Sequence, residues 1–179
     1  MVERIAVVGA SGSGKTTLAR TLSERLGLPC TELDAHFHQP GWTRMAADEF
    51  RGVVSRLVAA QRWVIDGNYR EVRDLVWDRA QLVVVLDLPR RTVMFRLLRR
   101  TLRRGITRVE LWNGNRESLV NMVSTDDERN IMLWSWRTFD SYHAQLPDEV
   151  TATAPHARLV VLRSQADVAG LIEELAPRG

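Results

Sequence analysis

Several things are scarce in this chain of 179 residues. Cysteine occurs once, at Cys30, so no internal disulfide can form and no cysteine cluster can hold a metal. Cys30 sits among apolar residues, where an inert, buried thiol is expected. Long apolar runs are missing: Leu82 to Leu86 is the longest, far below what spans a bilayer. The first apolar strand begins close to Met1, which leaves no room for a signal peptide and predicts a cytoplasmic protein. Net charge is small, +3, although the pI is 9.7. A nonspecific nucleic-acid binder carries a larger basic excess, so the surplus suits small anionic ligands at least as well. Internal repeats and low-complexity segments are absent. Lysine is the scarcest charged residue: Lys15 is the sole lysine, and all other basic side chains are arginine.

What is present begins around that lysine. Gly9-Ala10-Ser11-Gly12-Ser13-Gly14-Lys15-Thr16 follows the apolar run Ile5-Ala6-Val7-Val8 and precedes a segment with helical spacing. Strand, glycine-rich loop and helix in that order form the phosphate-binding P-loop pattern. Glycines 9, 12 and 14 let successive N–H groups turn toward one anion, and the helix adds its positive end. Ser11, Ser13 and Thr17 belong to the same cradle. Lys15 can reach the β- and γ-phosphates as a compact ammonium, and the Thr16 hydroxyl can bind Mg²⁺. ATP or GTP is therefore expected with Mg²⁺, and the lack of an evident GTPase base-specificity motif favours ATP as the cofactor.

Further along, apolar spacing predicts a helix over Leu18, Leu22 and Leu26, ended by Gly27 and Pro29. A second strand is read from Pro29 to Leu33, with Asp34 at its carboxyl end, then a polar and aromatic loop from Ala35 to Trp42. A helix over Phe50 to Val58, a third strand at Trp63-Val64-Ile65 and a short helix with Val72, Leu75 and Val76 follow. The fourth strand is Leu82 to Leu86. The helix from Pro89 to about Arg104 is dense in arginine, and Gly105 is expected to break it. The stretch from Ile106 to Thr125, with Trp112-Asn113-Gly114-Asn115, reads as a mobile excursion. Thr125 then caps a helix to about Gln145, and a fifth strand (Arg158 to Leu162) and a last helix close the chain. The whole is expected to be one domain over 1–179, with a lid-like excursion at about 105–125. Alternating strands and helices predict a parallel sheet covered on both faces, with ligands at the strands' carboxyl ends. Asp34, Asp66 and Asp87 fall at those ends beside the P-loop.

Single residues admit competing readings. Asp34 can orient or deprotonate an acceptor hydroxyl, hold a metal-bound water, or merely cap the next turn. Asp87, before Leu88-Pro89, reads best as a helix cap. His36 and His38 have no third ligand nearby and fit better as lining for an acceptor pocket, with Phe37 and Trp42 stacking on a ring. Arg96 and Arg100 lie one turn apart on one helical face and can serve the ATP phosphates; the remaining arginines form a solvated face or a nucleic-acid stripe.

The Gly9–Thr16 loop, Leu33-Asp34, Trp63-Val64-Ile65-Asp66-Gly67-Asn68-Tyr69 and Leu86-Asp87-Leu88-Pro89-Arg90 together resemble the adenylate-kinase-like P-loop proteins. More narrowly they resemble the FlaR-type subgroup, labelled "DNA topology modulation protein". The resemblance implies an α/β three-layer sandwich with a five-stranded parallel sheet in the order 2-3-1-4-5, nucleoside-monophosphate-kinase-like, with a lid. It makes Asp66, together with Thr16, the candidate to hold Mg²⁺. Adenylate kinases read Asp-Gly-Phe-Pro-Arg where this chain has Asp66-Gly67-Asn68-Tyr69-Arg70, which puts Arg70 in register with the arginine that binds the acceptor's phosphate. Arg96 and Arg100 correspond to the arginine pair where the lid begins, and Arg137 to one after it. The implied catalytic set is Lys15, Asp34, Arg96, Arg100 and Arg137, with Asp34, Phe37, Trp42, Asp66, Asn68 and Arg70 around a small-molecule acceptor. The expected activity is ATP-dependent transfer to a nucleotide or nucleoside. A sugar or acid acceptor, or a nucleic-acid-associated ATPase or nucleotide switch, stands as the alternative.

Overall fold

The computed structural model describes residues 2–117 and 131–176. Five strands, β1 (Arg4–Gly9), β2 (Cys30–Glu32), β3 (Trp63–Asp66), β4 (Leu82–Leu86) and β5 (Arg158–Leu162), form one sheet in the order β2-β3-β1-β4-β5. All neighbours pair parallel, with Val7 opposite Asp66 and Val84, so the chemistry-bearing ends lie on one edge.

Alternation along the strands sorts the core into two layers. Ala6, Val8, Ile65, Val83 and Val85 face helices α3 (Ala47–Val58), α4 (Arg73–Arg79) and α6 (Ile131–Thr153), which contribute Phe50, Val54, Trp77, Leu146 and Val150. Ile5, Val7, Val64 and Val84 face α1 (Lys15–Leu26) and α7 (Gln165–Leu175) through Leu18, Leu22 and Leu171. Strands β1, β3 and β4 are buried along nearly their whole length, as a doubly covered parallel sheet requires. Among the described residues no helix is long and apolar enough to cross a membrane.

Three boundaries differ from the sequence reading. Asp34 lies inside a short helix, α2 (Leu33–Phe37), so the chain coils directly from β2. Helix α5 (Arg90–Thr107) runs through Gly105 and ends at Arg108 in the left-handed region, φ 48°. A single glycine costs a helix interior only about 1 kcal/mol, which the flanking turns outweigh. Helix α6 continues through Pro147 to Thr153, well past Gln145. The expected start of that helix at Thr125, and residues 118–125 of the excursion, lie outside the described residues. Asp87 is not the N-cap of α5: that position is Pro89, without a side-chain bond, and Asp87 Oδ2 accepts from Arg163 Nε at 3.2 Å. The capping box belongs instead to α7, where Ser164 and Asp167 exchange bonds at 3.1 and 2.9 Å.

Candidate active site

The glycine-rich loop joins β1 to α1, and its shape depends on the glycines. Gly9, Gly12 and Gly14 have φ of 147°, 85° and 101°, all in the region that L side chains rarely adopt. Space is as restrictive as torsion: a Cβ on Gly12 would stand 2.8 Å from the Val93 carbonyl and 2.9 Å from Leu97 Cβ. Helix α5 therefore rests directly on the loop.

From that helix two arginines reach the loop itself. Arg96 Nη1 donates to Ser13 O at 3.2 Å and Arg100 Nη2 to Ser11 Oγ at 3.1 Å. Burial lowers the Arg100 pKa, opposed by the nearby Glu117 and Asp34, yet an arginine stays charged there. Lys15 Nζ donates to Ala10 O at 3.1 Å, which folds the ammonium over the loop. Thr17 is exposed on the first turn of α1.

Asp66 ends β3 opposite Val7, beside the first turn of α1. It accepts the Thr16 hydroxyl on Oδ2 at 2.5 Å and is only 5% exposed. Its pKa is raised, first by burial, with Lys15 and the Thr16 bond pulling the other way. Its other oxygen, Oδ1, is buried without a hydrogen-bond partner among the described residues. A lone carboxylate oxygen in that state is costly unless something positive completes it. A hydroxyl and a carboxylate side by side, next to a loop shaped for phosphate, are the oxygen donors that Mg²⁺ takes when it also binds a nucleotide. The residues present fit both groups: Thr16 and Asp66 would hold the metal, and Gly9 to Thr16 the phosphates.

On the other side of Asp66, Tyr69 donates its hydroxyl to Asp34 Oδ1 at 2.5 Å. Phe37 packs against Tyr69 and Phe50, with ring centroids 4.5 and 5.2 Å apart. Asn68 Oδ1 accepts from Arg73 Nε at 2.7 Å, and Arg73 also pairs with Glu149 and lies over the Trp77 ring. Arg70 is exposed in a short 3-10 turn (Arg70–Val72). Trp42 adopts φ 59° and is bonded to the 110–116 segment, 2.9 Å from its N to Asn115 Oδ1. Arg137 lies on the exposed surface of α6.

The structure thus gathers Lys15, Thr16, Asp66, Arg96 and Arg100 around the loop, and Asp34 and Phe37 around Tyr69. Arg70 and Arg137 face outward. Sequence reading missed Tyr69 as a partner of Asp34, Arg73 as the holder of Asn68, and Asn115 as the partner of Trp42. The first had a local signal, since Tyr69 stands within the Asp66–Arg70 turn. Arg73 also lies close in sequence, five positions from Asn68, whereas Asn115 and Trp42 meet across 73 positions.

A parallel sheet in this order, with a phosphate loop leading from its central strand into a helix, defines a P-loop kinase fold of the nucleoside-monophosphate-kinase-like kind. Among solved structures the chain is similar to shikimate kinase from Acinetobacter baumannii in complex with shikimate, at 19% identity and TM-score 0.55, covering 98% of this chain and 91% of that one. It is similar to shikimate kinase from Bacteroides thetaiotaomicron at 13% identity and TM-score 0.52, covering 98% and 96%. A gluconokinase from Sinorhizobium meliloti 1021 stands at 18% identity and TM-score 0.50, covering 97% and 95%. No protein-family model and no curated protein matches the chain. At these identities the likeness is one of fold.

Proposed function

We propose that this protein is an ATP- and Mg²⁺-dependent phosphotransferase acting on a small molecule. The carrying observation is the Thr16–Asp66 pair with its unsatisfied Oδ1, set beside a loop already gripped by Arg96 and Arg100. Phosphoryl transfer asks little covalent chemistry of the protein; it asks for alignment and for positive charge around the moving group. Mg²⁺, when bound, would neutralise charge on the β- and γ-oxygens. The chain's own groups do the rest. Loop amides and Lys15 bind the phosphates, the two guanidinium groups meet charge that develops in transfer, and Asp34 is placed to orient an acceptor hydroxyl with Tyr69 fixing its carboxylate. Such an enzyme works where ATP is supplied, in the cytoplasm. The FlaR label names a genetic effect and adds no chemistry to this reading.

For the acceptor, one feature favours a hydroxylated, non-nucleotide molecule. The Asn68-Tyr69 pair that replaces Phe-Pro turns its polar groups inward, Tyr69 to Asp34 and Asn68 to Arg73. Arg73 is neutralised by Glu149 and Arg70 is exposed, so the basic groups suited to an acceptor phosphate are not collected there. The shikimate kinases and the gluconokinase of like fold support this choice.

The test is transfer from γ-labelled ATP to a panel of AMP, nucleosides, D-gluconate, shikimate and D-glucose. Lys15→Ala is expected to lower turnover by about 1000-fold or more while far-UV circular dichroism stays unchanged. An active, folded Lys15→Ala protein refutes the assignment, as does a failure of MgATP to bind the intact chain in calorimetry.

A further inference from the structure

The motif Trp112-Asn113-Gly114-Asn115 has no part in the chemistry above, yet it is tightly built. A bridge between Glu110 and Arg116 closes it into a small antiparallel hairpin, with Leu111 N donating to Asn115 O at 2.7 Å. Asn113 and Gly114 both have positive φ, 57° and 78°, the Asn-Gly pairing that two-residue hairpin turns demand. The hairpin tip lies against the loop between α2 and α3, where both asparagine side chains are spent, while Trp112 Nε1 donates to Glu32 Oε2 at 3.2 Å. Asn113 Nδ2 donates to the carbonyls of Ala35 and His38 at 3.0 and 2.6 Å. Asn115 Nδ2 donates to Gln39 O at 3.0 Å, while its Oδ1 accepts the Trp42 amide at 2.9 Å. Trp42 Nε1 donates to Arg116 O at 3.1 Å, and Trp112 stacks on His38 at 6.2 Å. The hairpin's far end is tied to α5 by the Arg104–Glu117 pair at 2.9 Å.

Two points make this more than loop packing. The contacts go chiefly to backbone atoms, so they fix the shape of the 35–42 loop rather than select its side chains. In addition, Trp42 holds a left-handed conformation that a bulky residue avoids unless its surroundings impose it. The group that meets its amide is the side-chain oxygen of Asn115, a residue only 4% exposed.

We propose that the Trp112–Asn115 turn is a positioning clasp that sets the shape of the acceptor loop, with Asn115 as its positioning residue. Calling that loop the acceptor's rests on the kinase reading; the clasp does not. The test is amide hydrogen exchange at Trp42, followed by NMR on the full chain. Asn115→Ala is expected to speed exchange of this amide by about tenfold, with β1 and β4 unaffected. Asn115→Asp keeps an oxygen for the Trp42 N–H but loses the donor to Gln39 O, so its exchange is expected to rise less than in Asn115→Ala, by about threefold. Asn113→Ala, a change at an exposed position, is expected to give an intermediate rise of about threefold, and it decides the matter should the Asn115→Ala protein not fold. Unchanged exchange in the Ala variants, or an equal rise in Asn115→Ala and Asn115→Asp, would overturn the clasp. Calorimetry with MgATP on the same samples reports on the kinase reading separately, because the clasp lies outside the phosphate loop.

Discussion

Individual side chains show how far chemistry follows from neighbours. Cys30 was expected to be an inert thiol. It is half-buried in β2, and burial, with Asp66 and Glu32 adding to it, pushes its pKa up to about 11. Only the thiolate attacks disulfide reagents, so a raised pKa means less reactive species at any given pH. At pH 8 the native thiol is expected to react with a disulfide reagent about 100-fold more slowly than the urea-unfolded chain, read from the absorbance of the released aromatic thiol. The sign for stability follows. The folded pKa lies above the ordinary value of 9.0, so this contribution is complete below about pH 9 and is lost as pH rises through about 11. Arg70 and Arg73 teach a different lesson. In sequence Arg70 holds the register of a known motif, while in space Arg73 takes the polar partners, Asn68 and Glu149, and Arg70 faces solvent. Three residues along the chain are enough to exchange a guanidinium's surroundings, and register alone carries no information about that.

Elements were legible in proportion to how locally they are determined. The passage from β1 through the loop to α1 could be read residue by residue, because glycines, strand and helix all sit within one short stretch. Strands β4 and β5 were found with their observed limits; β4 is a fully buried, uninterrupted apolar run, and β5, less buried at the edge of the sheet, keeps the apolar stretch Leu159 to Leu162. Reading failed at two helix breakers, since α5 passes through Gly105 and α6 through Pro147, and in the excursion after α5, which is pinned by bonds to residues more than 70 positions away. Two glycines separate the local from the distant cause. Gly12 is strained and crowded by α5, whereas Gly114 is strained alone, with nothing near its absent Cβ. Gly12→Ala is expected to lower stability by about 3 kcal/mol or more, from torsion and overpacking together. Gly114→Ala is expected to lose only about 1 kcal/mol. Urea midpoints of the two variants check the difference, and equal shifts would mean that α5 does not press on the loop as described.

At the scale of the whole molecule, binding and folding are linked through the same loop. A ligand that engages only the folded chain adds RT ln(1 + [L]/Kd), about 2.7 kcal/mol at one hundred times Kd. MgATP at that excess is expected to raise Tm by roughly 5–10 °C, read by differential scanning fluorimetry. ATP with EDTA is expected to raise it less, because the buried Asp66 oxygen then keeps its unmet charge.

The strand order carries a further consequence. β1 lies at the centre of the sheet, flanked by β3 and β4, so Ile5 must wait for Val64 and Leu82 before either side is paired. On the ribosome, that apolar ribbon emerges some 60 residues ahead of its nearest partner. During this interval it offers greasy, unsatisfied backbone to whatever is near. A nascent chain built this way depends on shelter at the exit tunnel, and its yield in overexpression should respond to chaperone supply more than to the stability of the finished protein.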